Sequence, residues 1–144
     1  MREILFRGFH PDENGKEKAF VNGEWINGFW VYGYYFEEIG SFIKERPGAV
    51  STLTYLVLTH TVGQYTGLKD KNGKKIFEGD ILRHSKNQKT MSVVWDGVES
   101  QFVWHKRKEN NERLFDSGSL FLTNRYFEII GNIYDNPEIL LKND

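Results

Sequence analysis

The chain has 144 residues, 39% of them hydrophobic and 15% aromatic, with no cysteine and a formal net charge of −1. That length fits one domain or two small lobes folded together, and aromatic side chains burying on the order of 150–250 Å² each can build its core. The missing cysteines exclude a disulfide framework, a thiolate metal site and a cysteine nucleophile, and the near-neutral charge excludes a chain that is basic throughout.

The N-terminal MREILFRGFH has no apolar run of signal-peptide or membrane-span length, which points to a cytoplasmic protein with no membrane association. Within it, residues 2–7 alternate as a first strand, with Ile4 and Phe6 on one face. His10 to Lys18 is polar and holds Pro11 and Asn14-Gly15, so it reads as a loop. Asn22-Gly23 and Asn27-Gly28 are candidates for type I′ hairpin turns, although not both pairs need be hairpins. Phe29–Phe36 is a strand aromatic on both faces, so it is covered on both sides or serves a partner. Glu37–Pro47 leaves room for a turn of helix, and Ser51–Thr59 is a strand rich in β-branched residues.

The strand pattern restarts near His60–Gly63, dividing the chain into a smaller β-rich lobe over 1–62 and a second lobe over 63–144. The second opens on GQYTGLKDKNGKKIFEGDIL. With Asn72-Gly73 as a two-residue I′ loop, Lys71 faces Lys74, Asp70 faces Lys75 and Leu68 faces Phe77. Glu78-Gly79-Asp80 breaks the strand, and Ile81–Arg83 starts the next. Met91–Trp95 ends at Asp96-Gly97, another I′ candidate, and Gln101–His105 pairs back against it. The charge run Lys106–Arg113 reads as a mobile hairpin tip. Phe127–Tyr134 is the last strand. Asn136-Pro137-Glu138 starts a short helix ending by Lys142, with Asn136 as N-cap and Pro137 at the first helical position. Short strands with tight turns and one late helix indicate an all-β, mostly antiparallel barrel or strongly curved sheet.

The hairpin stretch, the N-terminal REILFRG, the EW…WVYGYYFEE segment and the closing FEIIGNIYDNPEILL together resemble the YopX family, small proteins encoded by phages and prophages. Lys75 stands where an acid is more usual in that family, and Phe77 where Tyr is common. The resemblance implies an all-β fold whose C-terminal part is similar to an SH3-like barrel, a bacterial host cytoplasm, and no catalytic residue.

Residue chemistry points the same way. The histidines His10, His60, His84 and His105 sit in no metal or catalytic spacing, and no phosphate loop or nucleophile elbow is present, so neither an enzyme, a metal nor a cofactor is expected. Glu78 and Asp80 have the spacing of a carboxylate pair on a strand. The simpler reading gives Gly79 a positive φ and makes Asp80 a turn cap.

Two binding readings remain. A protein interface, including self-association, centres on Trp30, Tyr32, Tyr34 and Phe36. Single-stranded nucleic acid is the alternative. Residues 64–113 carry 11 basic and 7 acidic groups, against net charges of −2 before them and −3 after. Lys69, Lys71, Lys74, Lys75, Arg83, Lys86, Lys89, Lys106, Arg107 and Lys108 would form a basic rim around Trp95, Phe102 or Trp104 if they converge.

Overall fold

Alternating side chains and turn residues resolve into eleven strands, the described residues of a computed structural model being 4–10, 24–35, 38–44, 54–108, 111–120 and 123–141. Residue contacts gather the chain into two compact units, Met1–Tyr65 and Thr66–Asp144.

The first unit contains β1 (Phe6–His10), β2 (Glu24–Tyr35), β3 (Glu38–Lys44), β4 (Thr54–Val57), a 3-10 turn (Thr59–Thr61) and the start of β5 (Gly63–Lys69). The strands run in the order β4-β3-β2-β1-β5, with antiparallel pairing throughout. Three expectations change here. The first strand begins at Phe6, rather than at residue 2. Asn27-Gly28 is no turn: both residues lie inside β2, opposite Arg7 and Phe6. The segment expected to leave room for a helical turn is strand β3, whose alternation of Ile39, Ser41 and Ile43 with Gly40 and Phe42 suits a ladder against β2.

Thr61 ties the 3-10 turn to β1. Its hydroxyl donates to the Leu58 carbonyl at 2.6 Å and accepts from the Phe9 N–H at 2.9 Å, while the Leu58 N–H donates to the Phe9 carbonyl. Val57 packs with Phe6 and Val62. It presses so close to Gly8 that a Cβ there would lie 2.8 Å from a Val57 methyl.

The second unit holds the end of β5, then β6 (Lys75–Phe77), β7 (Asp80–His84), β8 (Thr90–Asp96), β9 (Gln101–Lys108), β10 (Asn111–Ser119), α1 (Thr123–Tyr126), β11 (Phe127–Asn132) and α2 (Pro137–Leu141). Five of these strands form an antiparallel sheet in the order β10-β9-β8-β7-β11. The mostly antiparallel β class with minor helix is as expected. Among the described residues, however, no pairing joins β10 to β11 to close the sheet into a barrel. Ile76, Leu82, Met91, Val93 and Phe127 form the core, each buried side chain of this size contributing about 1.5–3 kcal/mol.

The charge run is largely strand: β9 continues to Lys108 and β10 returns from Asn111. Pairing with a formed neighbour outweighs the weak β-preference of lysine. The helix start falls as expected at Pro137, while the Asn136 side chain turns back, its Oδ1 accepting from the Asn132 N–H at 3.4 Å.

The central hairpin is not type I′. The Gly73 N–H donates to the Asp70 carbonyl, the Asp70 N–H donates to the Lys74 carbonyl, and Gly73 alone takes positive φ, at +81°. Those features make a three-residue loop, a type I turn followed by a left-handed glycine. Asp70 therefore pairs with Lys74, not Lys75. Its carboxylate is 1% exposed and accepts three backbone N–H groups: Oδ1 from Asn72 and Lys74, both at 2.9 Å, and Oδ2 from Ile129 at 3.0 Å. Asp96-Gly97 likewise gives a longer loop, Gly97 to Ser100, with Asp96 Oδ1 accepting from Val98 and Glu99 and with Ser100 at φ +53°.

Candidate binding cleft

The site begins with the two-residue period of β8 and β9. Met91 and Val93 share one face of β8 with Lys89, which precedes the strand; Trp104 and Lys106 share one face of β9, and Val93 lies opposite Trp104. On the other side of β9, Gly118 of β10 stands opposite Trp104. A Cβ there would lie 2.7 Å from the indole ring, so glycine lets the ring lie against the neighbouring backbone.

The β7–β8 loop supplies one wall. The Gln88 N–H donates to the His84 carbonyl, with Gln88 at φ +61°, and the His84 N–H donates to the Lys89 carbonyl. Three side-chain bonds reinforce this α-turn: the Lys86 N–H to His84 Nδ1 at 3.1 Å, the Lys89 N–H to Asn87 Oδ1 at 2.9 Å, and Gln88 Nε2 to the Ser85 carbonyl at 2.9 Å. The Ser85 N–H donates to the Tyr126 carbonyl, anchoring the loop to α1. Tyr126 stacks on His84, with ring centres 5.7 Å apart, and Lys86 Nζ sits 4.7 Å above its ring. Phe127 meets His84 edge-on at 5.1 Å.

Together these elements enclose a cleft of about 590 Å³, within the 300–1,000 Å³ typical of ligand sites. Met91, Trp104, Tyr126 and Phe127 give it apolar and aromatic surface, and Lys86, Lys89 and Lys106 give it charge, beside His84, Asn87 and Ser119.

Of the expected basic rim, Lys86, Lys89 and Lys106 converge, and they do so around Trp104. Trp95 and Phe102 lie opposite one another outside the cleft, in an edge-to-face pair at 4.9 Å. Lys69, Lys71, Lys74, Lys75 and Arg83 do not line it. Arg83 instead meets Glu128 at 3.0 Å, with Lys71 at 3.9 Å from the same oxygen. The Arg83 hydrogen bond, with the charges of Lys71 and Arg83 and a hydrogen bond from Asn72, holds the Glu128 carboxyl below its usual range against desolvation. The backbones of Arg107 and Lys108 continue β9, and their side chains lie outside the described residues. So do the side chains of Trp30, Tyr32 and Tyr34 on β2, and the whole of Phe36.

Reading along the sequence singled out neither Tyr126 nor His84. Their roles come from the stacking of α1 on the β7–β8 loop, which no local pattern announces. Asp80 is buried, its Oδ2 accepting from the Phe77 N–H at 2.8 Å, and Gly79 takes φ +94°, as the turn-cap reading expects. Burial holds the His105 imidazole below its usual pKa. Among the described residues, no cluster of three or more His, Asp or Glu side chains could hold a metal ion, and no helix is long and apolar enough to cross a membrane.

A family model described as YopX protein matches residues 6–141. The chain is also similar in fold to a solved structure, protein EF1440 from Enterococcus faecalis, at 22% identity and a TM-score of 0.51, with 97% of this chain and 99% of that one covered. A search of curated proteins finds no match.

Proposed function

The chain belongs to the YopX family, and we propose that it is a non-catalytic binding module whose ligand is single-stranded nucleic acid, held in the cleft of the second unit. One observation carries this reading: three lysines from two separate elements surround Trp104 and Tyr126. A single strand offers the complementary chemistry, with phosphates for the ammonium groups and a base face for an aromatic ring. The non-catalytic part rests on the role of Asp80. Its buried carboxylate accepts the Phe77 N–H beside the positive-φ Gly79, the role of a turn cap. As the sequence resemblance implies, the setting would be accessory to a phage or prophage in a bacterial cytoplasm.

Fluorescence anisotropy with labelled mixed-sequence oligonucleotides tests the proposal. Single-stranded DNA or RNA should bind at about 50 mM salt, more tightly than duplex of equal length, and Lys89→Gln and Lys106→Gln should each weaken binding. No binding at that salt would overturn the nucleic-acid reading. Concentration-dependent self-association, measured by light scattering on the same samples, would then favour the protein interface expected at Trp30, Tyr32, Tyr34 and Phe36.

A further inference from the structure

Resting on that reading, we infer that Trp95 is a second stacking platform, taking the base next to the one held at Trp104, so that the strand runs from the cleft along β8 and β9. Trp95 shares its face of β8 with Met91 and Val93, and it lies directly opposite Phe102, whose face of β9 carries Trp104 and Lys106. Trp95 and Trp104 are thus diagonal cross-strand neighbours on one sheet face, a relation that sets Cα atoms roughly 7–8 Å apart and lies within reach of aromatic side chains. One ribbon face therefore carries, in order, Lys89, Lys106, Trp104 and Trp95.

Core packing does not explain Trp95. It is 48% exposed, whereas Trp104 and Phe102 pack partly against the core. Its edge-to-face contact with Phe102 fixes the ring without covering it, and a held, half-exposed indole stacks a base with little loss of side-chain freedom. The hairpin beyond it is equally built. Asp96, on the opposite face of the strand, has its carboxylate turned into the loop, where Oδ1 accepts from Val98 and Glu99. The occupant that joins a basic, aromatic cleft to an uncharged aromatic platform one cross-strand step away is a linear polyanion with aromatic units.

The test compares native protein with Trp95→Ser, using a single nucleoside 3′,5′-bisphosphate and a short single strand as ligands. Titrations are followed by calorimetry and by the Trp104 indole N–H signal, assigned with Trp104→Phe. Trp95→Ser should weaken the strand about 5- to 100-fold, leave the bisphosphate affinity unchanged, and leave the salt dependence of strand binding unchanged, since no cation is removed. Equal strand affinity in native and Trp95→Ser proteins, with binding still abolished by loss of the cleft lysines, would overturn the second platform and leave the cleft reading standing. Failure of the strand to bind native protein at low salt would overturn both. A circular dichroism spectrum matching the native one excludes unfolding as the cause of any loss.

Discussion

Replacing Asp70 with alanine perturbs the most connected polar group of the central hairpin. The substitution removes the acceptor of three backbone N–H groups, from Asn72, Lys74 and Ile129. Asn72 and Lys74 are exposed, so water replaces their partner, and their loss resembles that of a helix cap, about 1 kcal/mol for the pair. The Ile129 N–H is part-buried on β11 and loses a charged acceptor, at a cost of about 1–3 kcal/mol. The total is about 3 kcal/mol, a large share of the stability of a small protein. Asp70→Asn keeps one carbonyl oxygen but sets an amide N–H₂ against one of the donors, and it should cost roughly half as much. Urea denaturation followed by tryptophan fluorescence and circular dichroism measures both, coincidence of the two probes checking that one transition is observed. A solvated ion pair between Asp70 and Lys75 would contribute only about 0.2–1 kcal/mol. A cost for Asp70→Ala within that range would refute the capping argument.

Three further outcomes follow from the same packing. Gly118→Ala places a methyl against the Trp104 ring and should cost about 1–3 kcal/mol while displacing the indole; an unmoved Trp104 N–H signal with native stability would contradict it. Because burial lowers the His105 pKa in the folded state, its contribution is complete above its unfolded value of about 6.5 and declines as pH falls below that. The urea midpoint of native protein should therefore drop more than that of His105→Gln between about pH 7.5 and pH 5.5, and parallel drops would count against the assignment. Glu128 has the opposite sign: its lowered pKa adds stability above about 4.5 that disappears as pH falls through the folded value. The advantage of native protein over Glu128→Gln should thus shrink on acidification, and an advantage that persists at low pH would contradict the ion pair with Arg83.

The legible parts of this fold were those fixed by neighbours in sequence. Alternation marked Met91–Trp95 and Gln101–His105, and their pairing follows with Trp95 opposite Phe102. Gly79 and Asp80 declared a turn, and Pro137 a helix start. Local sequence misleads where the deciding partner is distant. Asp-Lys-Asn-Gly suits a type I′ turn or the longer loop equally; Ile129, whose N–H needs Asp70 from 59 residues away, distinguishes them. Lys106 to Lys108 carry loop-like charge, but pairing with β10 makes them strand. Asn27-Gly28 carries a turn signature that pairing with β1 overrides. For the site, composition supplied the lysines and aromatics, and only the tertiary arrangement selects Lys86, Lys89 and Lys106 around Trp104 while committing Arg83 and Lys71 to Glu128.

The salt dependence of single-strand binding, native protein against Lys86→Gln/Lys89→Gln/Lys106→Gln, addresses the cleft most directly. Three phosphate contacts at about 0.7 each should give a slope of log affinity on log salt near −2 for native protein, collapsing toward zero in the triple variant. The same slope and affinity in both proteins would contradict the assignment of the cleft as the nucleic-acid site.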